Sequence, residues 1–191
     1  MEIKKTKLKI IKTAIKLYSQ KGLNIPVKDI IDAAKISNGS FFHHFSKKER
    51  LPEEIFDLIK NELDNFVFEN KKYNEVKQEN FKERTHNIFD ILVDWGVLEK
   101  DKFLFLLKFK NADDIYTTDK QNNVLREKVE NIIEEGIITN YFNDFDKDYL
   151  VDIFISHIAH TVFYISDKKK PKLKTKKFGF ITLWNSLRNY E

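Results

Sequence analysis

The sequence predicts an all-α protein of about nine helices, in which a three-helix N-terminal domain with a helix-turn-helix precedes a larger helical bundle. Only 3 prolines and 5 glycines interrupt the 191 residues. Apolar residues recur every three or four positions in nearly every segment, and the alternating runs that mark strands are scarce. With 41% apolar residues and no cysteine, the core must rest on packing, without disulfides or thiolate metal ligands.

The spacing of the apolar residues places the helices. The first helix presents one apolar stripe, formed by Leu8, Ile11, Ile15 and Tyr18, and Gly22 ends it. The others are expected at 27–34, 38–45, 47–72, 75–97, 101–111, 120–138, 147–166 and 177–189. Asp146 should cap the eighth helix, and Gly96 should end the fifth. Segment 168–177 has seven lysines in ten residues and is interpreted as a solvated connector.

The charge is distributed unevenly along the chain. Residues 1–50 carry 12 Lys and Arg against 4 Asp and Glu, whereas residues 51–191 carry 22 against 26. A general lysine bias would load both parts alike. The basic N-terminal part therefore points to a polyanionic partner such as DNA.

Several other protein classes are disfavoured. The N-terminus opens on charged residues and not on a signal peptide, so we expect a cytoplasmic protein. The most apolar stretch, 149–166, is interrupted by Asp152, His157 and His160 and is shorter than the roughly 20 residues of a membrane span. We expect it to be a buried helix, with no membrane partner. Gly-rich phosphate loops, nucleophile elbows and paired-carboxylate motifs are not seen, which predicts that the chain is not an enzyme.

The most informative stretch is 27–51, VKDIIDAAKISNGSFFHHFSKKERL. Its first helix has one apolar face, formed by Val27, Ile30, Ile31 and Ala34. In the short turn that follows, Ile36 can fill the space between two helices and Ser37 can cap the next one. A helix, a tight turn and a second short helix form the pattern that places a recognition helix in the major groove of DNA.

The run ISNGSFFHHFSKKERL resembles the recognition helix and its exit in the tetracycline-repressor (TetR) family. The matching residues are Gly39, Ser40, Phe41, Phe42, His44, Phe45, Lys48, Glu49 and Leu51. The detailed likeness covers about the first 55 residues, and the segment EEGIITNYFNDFD is similar to the family's link between its seventh and eighth helices. The resemblance implies a DNA-binding domain at 1–46 and a ligand-binding and dimerisation domain at 47–191.

The resemblance also implies which residues contact the DNA backbone. Phosphate contacts would come from Lys28, Phe42 and Lys48. The chain departs from the family twice, since the family usually has Tyr where this chain has Phe42, and a hydroxyl cap where it has Ile25-Pro26. Both departures lower the expected affinity, and neither removes the helix-turn-helix.

The residue types in the recognition helix predict an operator rich in A·T pairs. No Arg or Lys lies between Ser37 and Phe45, whereas Asn38 suits adenine and Phe41 suits the methyl group of thymine. Lys35 can still reach one guanine. The predicted DNA-binding residues are Lys28, Lys35, Ser37, Asn38, Ser40, Phe41, Phe42, His43, His44 and Lys48.

The bundle is rich in aromatic residues, which can either fill its core or line a pocket. Residues 51–191 hold 14 of the 17 Phe and both Trp. In the resembled family the bundle houses an effector pocket, which here would suit an apolar or aromatic molecule. By position, its predicted lining is Phe66, Phe89, Leu92, Trp95, Phe109, Tyr116, Leu125, Val129, His157 and Tyr164. No metal or other cofactor is expected, because the histidines form no compact ligand motif.

The last two helices form the dimer contact in the resembled family, so a homodimer is expected. The predicted seam is Ile155, Ala159 and Val162 with Phe180, Leu183, Trp184 and Leu187. Pro52 would lie at about the sixth position of a helix that starts at 47. The chain should therefore kink at Leu51-Pro52 or start a new helix there, and we expect this joint to transmit the effector signal.

Together these features predict a ligand-responsive transcriptional repressor that releases its operator when a small molecule binds the C-terminal domain. One alternative is a helical protein that binds or converts a small molecule and has no DNA role, and another is a helix-turn-helix adaptor that acts mainly through protein contacts. The basic N-terminal part and the capped turn favour the repressor.

Overall fold

The computed structural model describes residues 2–69, 80–110, 124–168 and 171–190. Within these ranges it contains nine α-helices and no strand, which confirms the predicted fold class. The helices are α1 (Glu2–Lys21), α2 (Val27–Ala34), α3 (Asn38–His44), α4 (Arg50–Phe68), α5 (Phe81–Leu98), α6 (Lys100–Lys110), α7 (Val124–Ile138), α8 (Lys147–Lys168) and α9 (Lys172–Leu187). The predicted helix ends at 72, 75, 111 and 120 lie outside the described residues.

The start of α4 differs from the prediction. Residues 46–49 form turns and the helix begins at Arg50, so Pro52 is its third residue. The N–H groups of a first helical turn have no acceptor within the helix, and a proline there removes no hydrogen bond. The predicted kink is therefore wrong, and the alternative of a helix that starts close to Pro52 is nearer to the structure. The role of this joint in transmitting the effector signal stays a prediction.

The two other predicted helix ends have opposite outcomes. The Asp146 side chain accepts a hydrogen bond from the Tyr149 N–H at 2.8 Å, which confirms the cap of α8. The predicted stop at Gly96 is wrong, because Gly96 is buried inside α5 and the helix continues to Leu98. Burial of this helix face outweighs the weak helix propensity of one glycine.

The described chain forms two compact units. The first unit comprises residues 2–62 and 101–110, and the second comprises the described residues of 63–100 and 124–190. The domain boundary between 46 and 47 stays a prediction.

In the first unit, α6 is fixed to the C-terminal turn of α1. The buried ring of Tyr18 packs against Phe105 with their centroids 6.0 Å apart. The Ser19 hydroxyl donates to Asp101 Oδ1 at 2.9 Å, and the Lys108 ammonium donates to the Ser19 carbonyl at 2.5 Å. The carbonyls of the last helical turn accept no hydrogen bond from within the helix. A cation placed there can donate to one of them, and its charge also interacts favourably with the helix dipole.

In the second unit, α8 is the central helix and packs against α5, α7 and α9. It is the one helix of the described chain that is long and apolar enough to cross a membrane. Its apolar side chains are instead buried within this unit, as the sequence predicted: Leu150, Val151, Phe154, Ile155, Ile158, Val162 and Ile165.

The link between α7 and α8 is closed by a close contact of glycine with phenylalanine. The N–H groups of Tyr141 and Phe142 both donate to the Gly136 carbonyl at 2.9 Å, and Asn140 adopts a left-handed conformation with φ 60°. A Cβ atom on Gly136 would overlap the Phe142 ring. Position 136 therefore needs glycine, because Phe142 is buried against Trp184 there.

The solvated connector predicted at 168–177 is wrong. Helix α9 begins at Lys172, and Lys176 is only 5% exposed. The Lys176 ammonium lies 3.1 Å from Asp90 Oδ2 and 2.9 Å from Asp94 Oδ1, and Lys172 lies 3.1 Å from the same Asp94 atom. Two carboxylates on α5 thus neutralise lysines of α9, which a lysine count along the chain could not indicate.

Candidate functional site

A short capped helix forms the centre of the candidate DNA-binding surface. Lys35 ends α2 in a left-handed conformation (φ 50°, ψ 57°), and its N–H donates to the Asp32 carbonyl. Ser37 then has extended dihedrals (φ −81°, ψ 156°), and its hydroxyl accepts a hydrogen bond from the Ser40 N–H at 3.1 Å. The cap predicted from the sequence is confirmed, and it fixes where α3 starts.

Two buried aromatic rings hold α3 in place. Phe41 and Phe45 are almost fully buried, with ring centroids 5.5 Å apart. Phe45 ends the helix, and its N–H donates to the Phe41 carbonyl at 2.9 Å. Because both anchors lie on one side of a seven-residue helix, the other side is presented to solvent.

The predicted role of Phe41 as a contact to thymine is wrong. Its side chain has no exposed surface, so no base edge can reach it. The neighbouring Phe42 is 47% exposed and packs edge-on against Phe41 at 5.3 Å. The sequence placed two adjacent phenylalanines on the recognition helix, and the structure assigns one to the core and one to the surface.

The other predicted DNA-binding residues are accessible. Five of them are exposed, namely Lys28, Lys35, Ser37, Asn38 and His43, and three are half-buried, namely Ser40, His44 and Lys48. Lys28 lies in the first turn of α2, and Lys48 lies in the turn before α4. Neither lysine forms an ion pair with a carboxylate of the described chain. Both ammonium groups can therefore take a phosphate partner.

The predicted effector residues separate into three groups. Five of them are buried in the core of the second unit: Phe89, Leu92, Trp95, Leu125 and Val129. Phe66 is half-buried in that unit. Phe109 is buried in the first unit, where it stacks on Phe56 at 4.8 Å, and its place in an effector pocket stays a prediction. Tyr116 lies outside the described residues.

The two remaining predicted effector residues, His157 and Tyr164, line an open cavity of about 940 Å³ between α8 and α9. The full lining is Ser156, His157, His160, Thr161, Tyr164, Pro171, Lys174, Thr175, Phe178, Gly179 and Thr182. Sequence reasoning missed the α9 side of this cavity, because it had assigned 171–175 to a connector. The sequence pattern that could have indicated it is the four-residue spacing of Lys174, Phe178 and Thr182, which is typical of one face of a helix.

The predicted dimer seam lies on the wrong side of α8 and α9. Six of its seven residues are buried within one chain and cannot meet a second copy: Ile155, Val162, Phe180, Leu183, Trp184 and Leu187. The opposite side of the two helices exposes Tyr164, Phe178 and Ile181, of which Phe178 is 68% exposed. Helical spacing identifies a face of a helix, but with two apolar faces it does not indicate which one is internal.

The histidines of α8 make ordinary local contacts. His157 Nδ1 lies 2.9 Å from the Ile153 carbonyl of its own helix, and His160 stacks on Tyr164 at 6.2 Å. In the described residues, no group of three or more His, Asp or Glu side chains is arranged to hold a metal ion.

Comparison with protein families identifies the N-terminal segment. The family model for bacterial regulatory proteins of the tetR family matches residues 10–55, which include α2, α3 and the turn between them. None of the curated proteins compared with the chain matches it.

Solved structures of similar fold cover nearly the whole chain. A TetR family transcription regulator from Marinobacter aquaeolei VT8 superposes with a TM-score of 0.76 at 13% identity, covering 99% of this chain and 100% of that one. The ketosteroid transcriptional regulator KstR2 of Mycobacterium tuberculosis gives 0.65 at 18% identity, covering 96% and 95%. A γ-butyrolactone receptor gives 0.68 at 13% identity, covering 99% and 91%.

At these identities the solved structures establish the fold alone. The chain has the fold of TetR family transcription regulators, and its N-terminal segment, residues 10–55, is similar to the family model for bacterial regulatory proteins of the tetR family.

Proposed function

We propose that the chain is a transcriptional repressor that binds operator DNA through α3 and releases it when a small molecule binds the second unit. One observation carries this proposal. The capped helix α3 is anchored by Phe41 and Phe45, and it exposes a polar face within a strongly basic segment. A short helix held in this way suits insertion into a major groove.

The exposed face of α3 favours A·T pairs. The side-chain amide of Asn38 can accept from adenine N6 through its oxygen and donate to adenine N7 through its nitrogen. Phe42 takes over the apolar contact with a thymine methyl that Phe41 cannot make. No Arg or Lys of α3 is present for the paired contact with guanine. We expect each half-site to be rich in A·T, with at most one guanine contacted by Lys35.

Backbone contacts supply affinity but no sequence preference. Lys28 and Lys48 are placed to contact phosphates, since both lie next to helix starts and neither has a carboxylate partner in the described chain. Removal of either charge should reduce the slope of log K against log salt by about 1, equally on operator and random DNA.

A second copy of the chain is needed, because one seven-residue helix contacts too few bases to select a site. We propose that the copy packs on the side of α8 and α9 that exposes Tyr164, Phe178 and Ile181. A two-fold dimer would present two copies of α3 at half-sites about one helical turn or more apart.

The effector is proposed to be small and largely apolar, because the second unit is filled with aromatic and aliphatic side chains. The names of two proteins of similar fold refer to a ketosteroid and a γ-butyrolactone, which are compatible with this class. The predicted contacts that remain in the second unit are Phe66, Phe89, Leu92, Trp95, Leu125, Val129, His157 and Tyr164.

The decisive experiment selects binding sites from a random duplex library and then measures binding of the selected site by gel shift. The proposal expects a two-fold symmetric, A·T-rich site and a dimeric complex, with Lys48→Ala weakening selected and random duplexes alike. Enrichment of no sequence, or a monomer by light scattering that still binds its site, would contradict it. The selected site then allows effectors to be screened by release of the complex.

A further inference from the structure

Helix α1 carries a row of lysines that the helix-turn-helix does not use. From Lys4 to Lys21 the sequence contains seven lysines and no Asp or Glu. Four of them, Lys5, Lys9, Lys12 and Lys16, follow one another at intervals of four, three and four residues, and all four are exposed. This spacing places them on one face of the helix, which we call the lysine stripe.

Two other lysines of α1, unlike those of the stripe, have ion-pair partners in the described chain. Lys7 forms an ion pair with Glu54 at 2.6 Å and lies over the Phe45 ring, and Lys21 lies 3.4 Å from Asp29. No carboxylate of the described chain forms an ion pair with any lysine of the stripe. Two of the seven lysines therefore contribute ion pairs to the first unit, whereas the four lysines of the stripe contribute none within the described chain.

A lysine bias of the whole sequence does not explain the stripe. The surface of α7 mixes both signs: Arg126 pairs with Glu130 at 2.7 Å and Lys128 pairs with Asp64 at 2.5 Å, while Glu127 is exposed beside them. The cations of α7 are thus paired with acids. On the stripe, like charges four residues apart repel each other, and no ion pair within the described part of the unit offsets the repulsion.

The dimensions of the stripe match a polyanion. Eleven residues separate Lys5 from Lys16, which is about 16 Å along a helix. Duplex DNA carries one negative charge per about 1.7 Å of its axis, so the stripe can lie beside several phosphates at once. An anionic membrane is a poorer match, because a helix that lies on a bilayer must expose its apolar face. The apolar face of α1, which includes Ile10, Ala14 and Tyr18, is buried in the first unit.

We propose that the lysine stripe of α1 is a second DNA-binding surface, which contacts the backbone of duplex outside the half-site read by α3 and does so without regard to sequence. The proposal rests on the DNA-binding function proposed above and extends it. Its consequence is a repressor with strong non-specific affinity, which would hold the protein on DNA near its operator.

The test compares three double variants that remove the same charge. The variants K5Q/K12Q and K9Q/K16Q each remove half of the stripe, whereas K168Q/K177Q removes two exposed lysines of the second unit that have no ion-pair partner in the described chain. Glutamine keeps helix propensity close to that of lysine. Dissociation constants are measured from about 50 to 200 mM salt on a long random-sequence duplex and on a duplex of about ten base pairs, one helical turn.

On the long duplex, each stripe variant should reduce the slope of log K against log salt by about 2, and K168Q/K177Q should leave it unchanged. On the short duplex the stripe variants should bind like the parent protein, since no outside phosphates remain. Circular dichroism should show unchanged helix content in all three variants.

Three results would overturn the proposal. Equal slopes for the stripe variants and the control on the long duplex would show that the stripe is only a solvated face. Unchanged DNA slopes together with loss of binding to phosphatidylserine vesicles would assign the stripe to a membrane. If the parent protein binds no duplex at all, the proposed repressor function fails as well, which distinguishes the two failures.

Discussion

The helix-turn-helix and the second unit use aromatic residues in different ways. In the helix-turn-helix, each buried ring positions an exposed neighbour: Phe41 and Phe45 are internal so that Phe42 and His43 face outward. In the second unit, buried rings mainly contact other rings. Trp184 lies within 6.5 Å of four aromatic side chains, namely Phe81, Tyr141, Phe142 and Phe180. The helix-turn-helix thus uses its buried rings to hold an exposed surface in place, whereas the second unit uses them to fill its interior.

Two polar contacts illustrate a similar difference. In the helix-turn-helix the Ser37 cap is exposed and local, joining residues three apart in the chain. In the second unit the ion pair of the buried Lys176 with the half-buried Asp94 joins residues 82 apart. Loss of a local cap should weaken one helix, whereas loss of the buried pair should weaken the packing of two helices. The variants below test this difference, from the largest expected effect to the smallest.

The largest effect is expected at one of two adjacent phenylalanines. Phe41→Ala should lower the free energy of unfolding of the first unit by about 3–5 kcal/mol, because it opens a cavity in a closed core. Phe42→Ala should change stability by less than about 1 kcal/mol, since this ring is half exposed, but should weaken DNA binding. Urea unfolding and gel shifts on both variants measure the two effects. Equal losses of stability would remove the distinction between anchor and contact.

The buried lysine of α9 provides the next test. Lys176→Met should destabilise the second unit by about 2 kcal/mol, because Asp90 and Asp94 lose their buried cation while keeping some contact with water. Lys174→Met, on the exposed side of the same helix, is the matched control and should be nearly neutral. Thermal unfolding followed by circular dichroism compares them. Similar melting temperatures for the two variants would mean that the pair contributes little to stability.

A smaller effect is expected at the link between α7 and α8. Gly136→Ala should cost about 1–3 kcal/mol, because the new Cβ displaces the Phe142 ring from its site. At the helical Gly39 an added methyl group would have no other atom within 4 Å, so Gly39→Ala should be neutral or slightly stabilising. Chemical unfolding of both variants tests whether glycine is needed at position 136 because of packing, or whether replacing any helical glycine has the same effect. A neutral Gly136→Ala would show that Phe142 can move at little cost.

The smallest effect is expected at the cap of α3. Ser37→Ala removes the acceptor for the Ser40 N–H and should cost about 1 kcal/mol, whereas Ser37→Asp should restore most of it. Amide hydrogen exchange at Ser40 follows the loss locally. If exchange at Ser40 is as slow in Ser37→Ala as in the parent protein, the cap is not what fixes the start of α3.

Local features were predictable from the sequence, and long-range partners were not. The Ser37 cap and the Asp146 cap depend on residues a few positions apart, so the sequence pattern indicated them correctly. The burial of Lys176 depends on carboxylates of another helix, and nothing near it in the chain reveals them. Segment 168–177 was therefore misassigned.

The assignment of helix faces failed for a related reason. Phe41 and Phe42 are identical residues at adjacent positions, and only the packing of the whole first unit decides which one is internal. The same holds for α8 and α9, where both faces carry apolar residues. Helical periodicity indicated that each helix exists, but the choice between two apolar faces requires knowledge of the neighbouring helices.

The placement of the tryptophans makes the two units spectroscopically separable. Both tryptophans of the chain, Trp95 and Trp184, are buried in the second unit. Tryptophan fluorescence therefore reports on the second unit alone. Unfolding of the helix-turn-helix should leave it unchanged, whereas an aromatic effector can quench it. Far-ultraviolet circular dichroism reports on the helix content of both units together. Recorded on one sample, the two signals would reveal whether the first unit unfolds before the second, with no label attached to the protein.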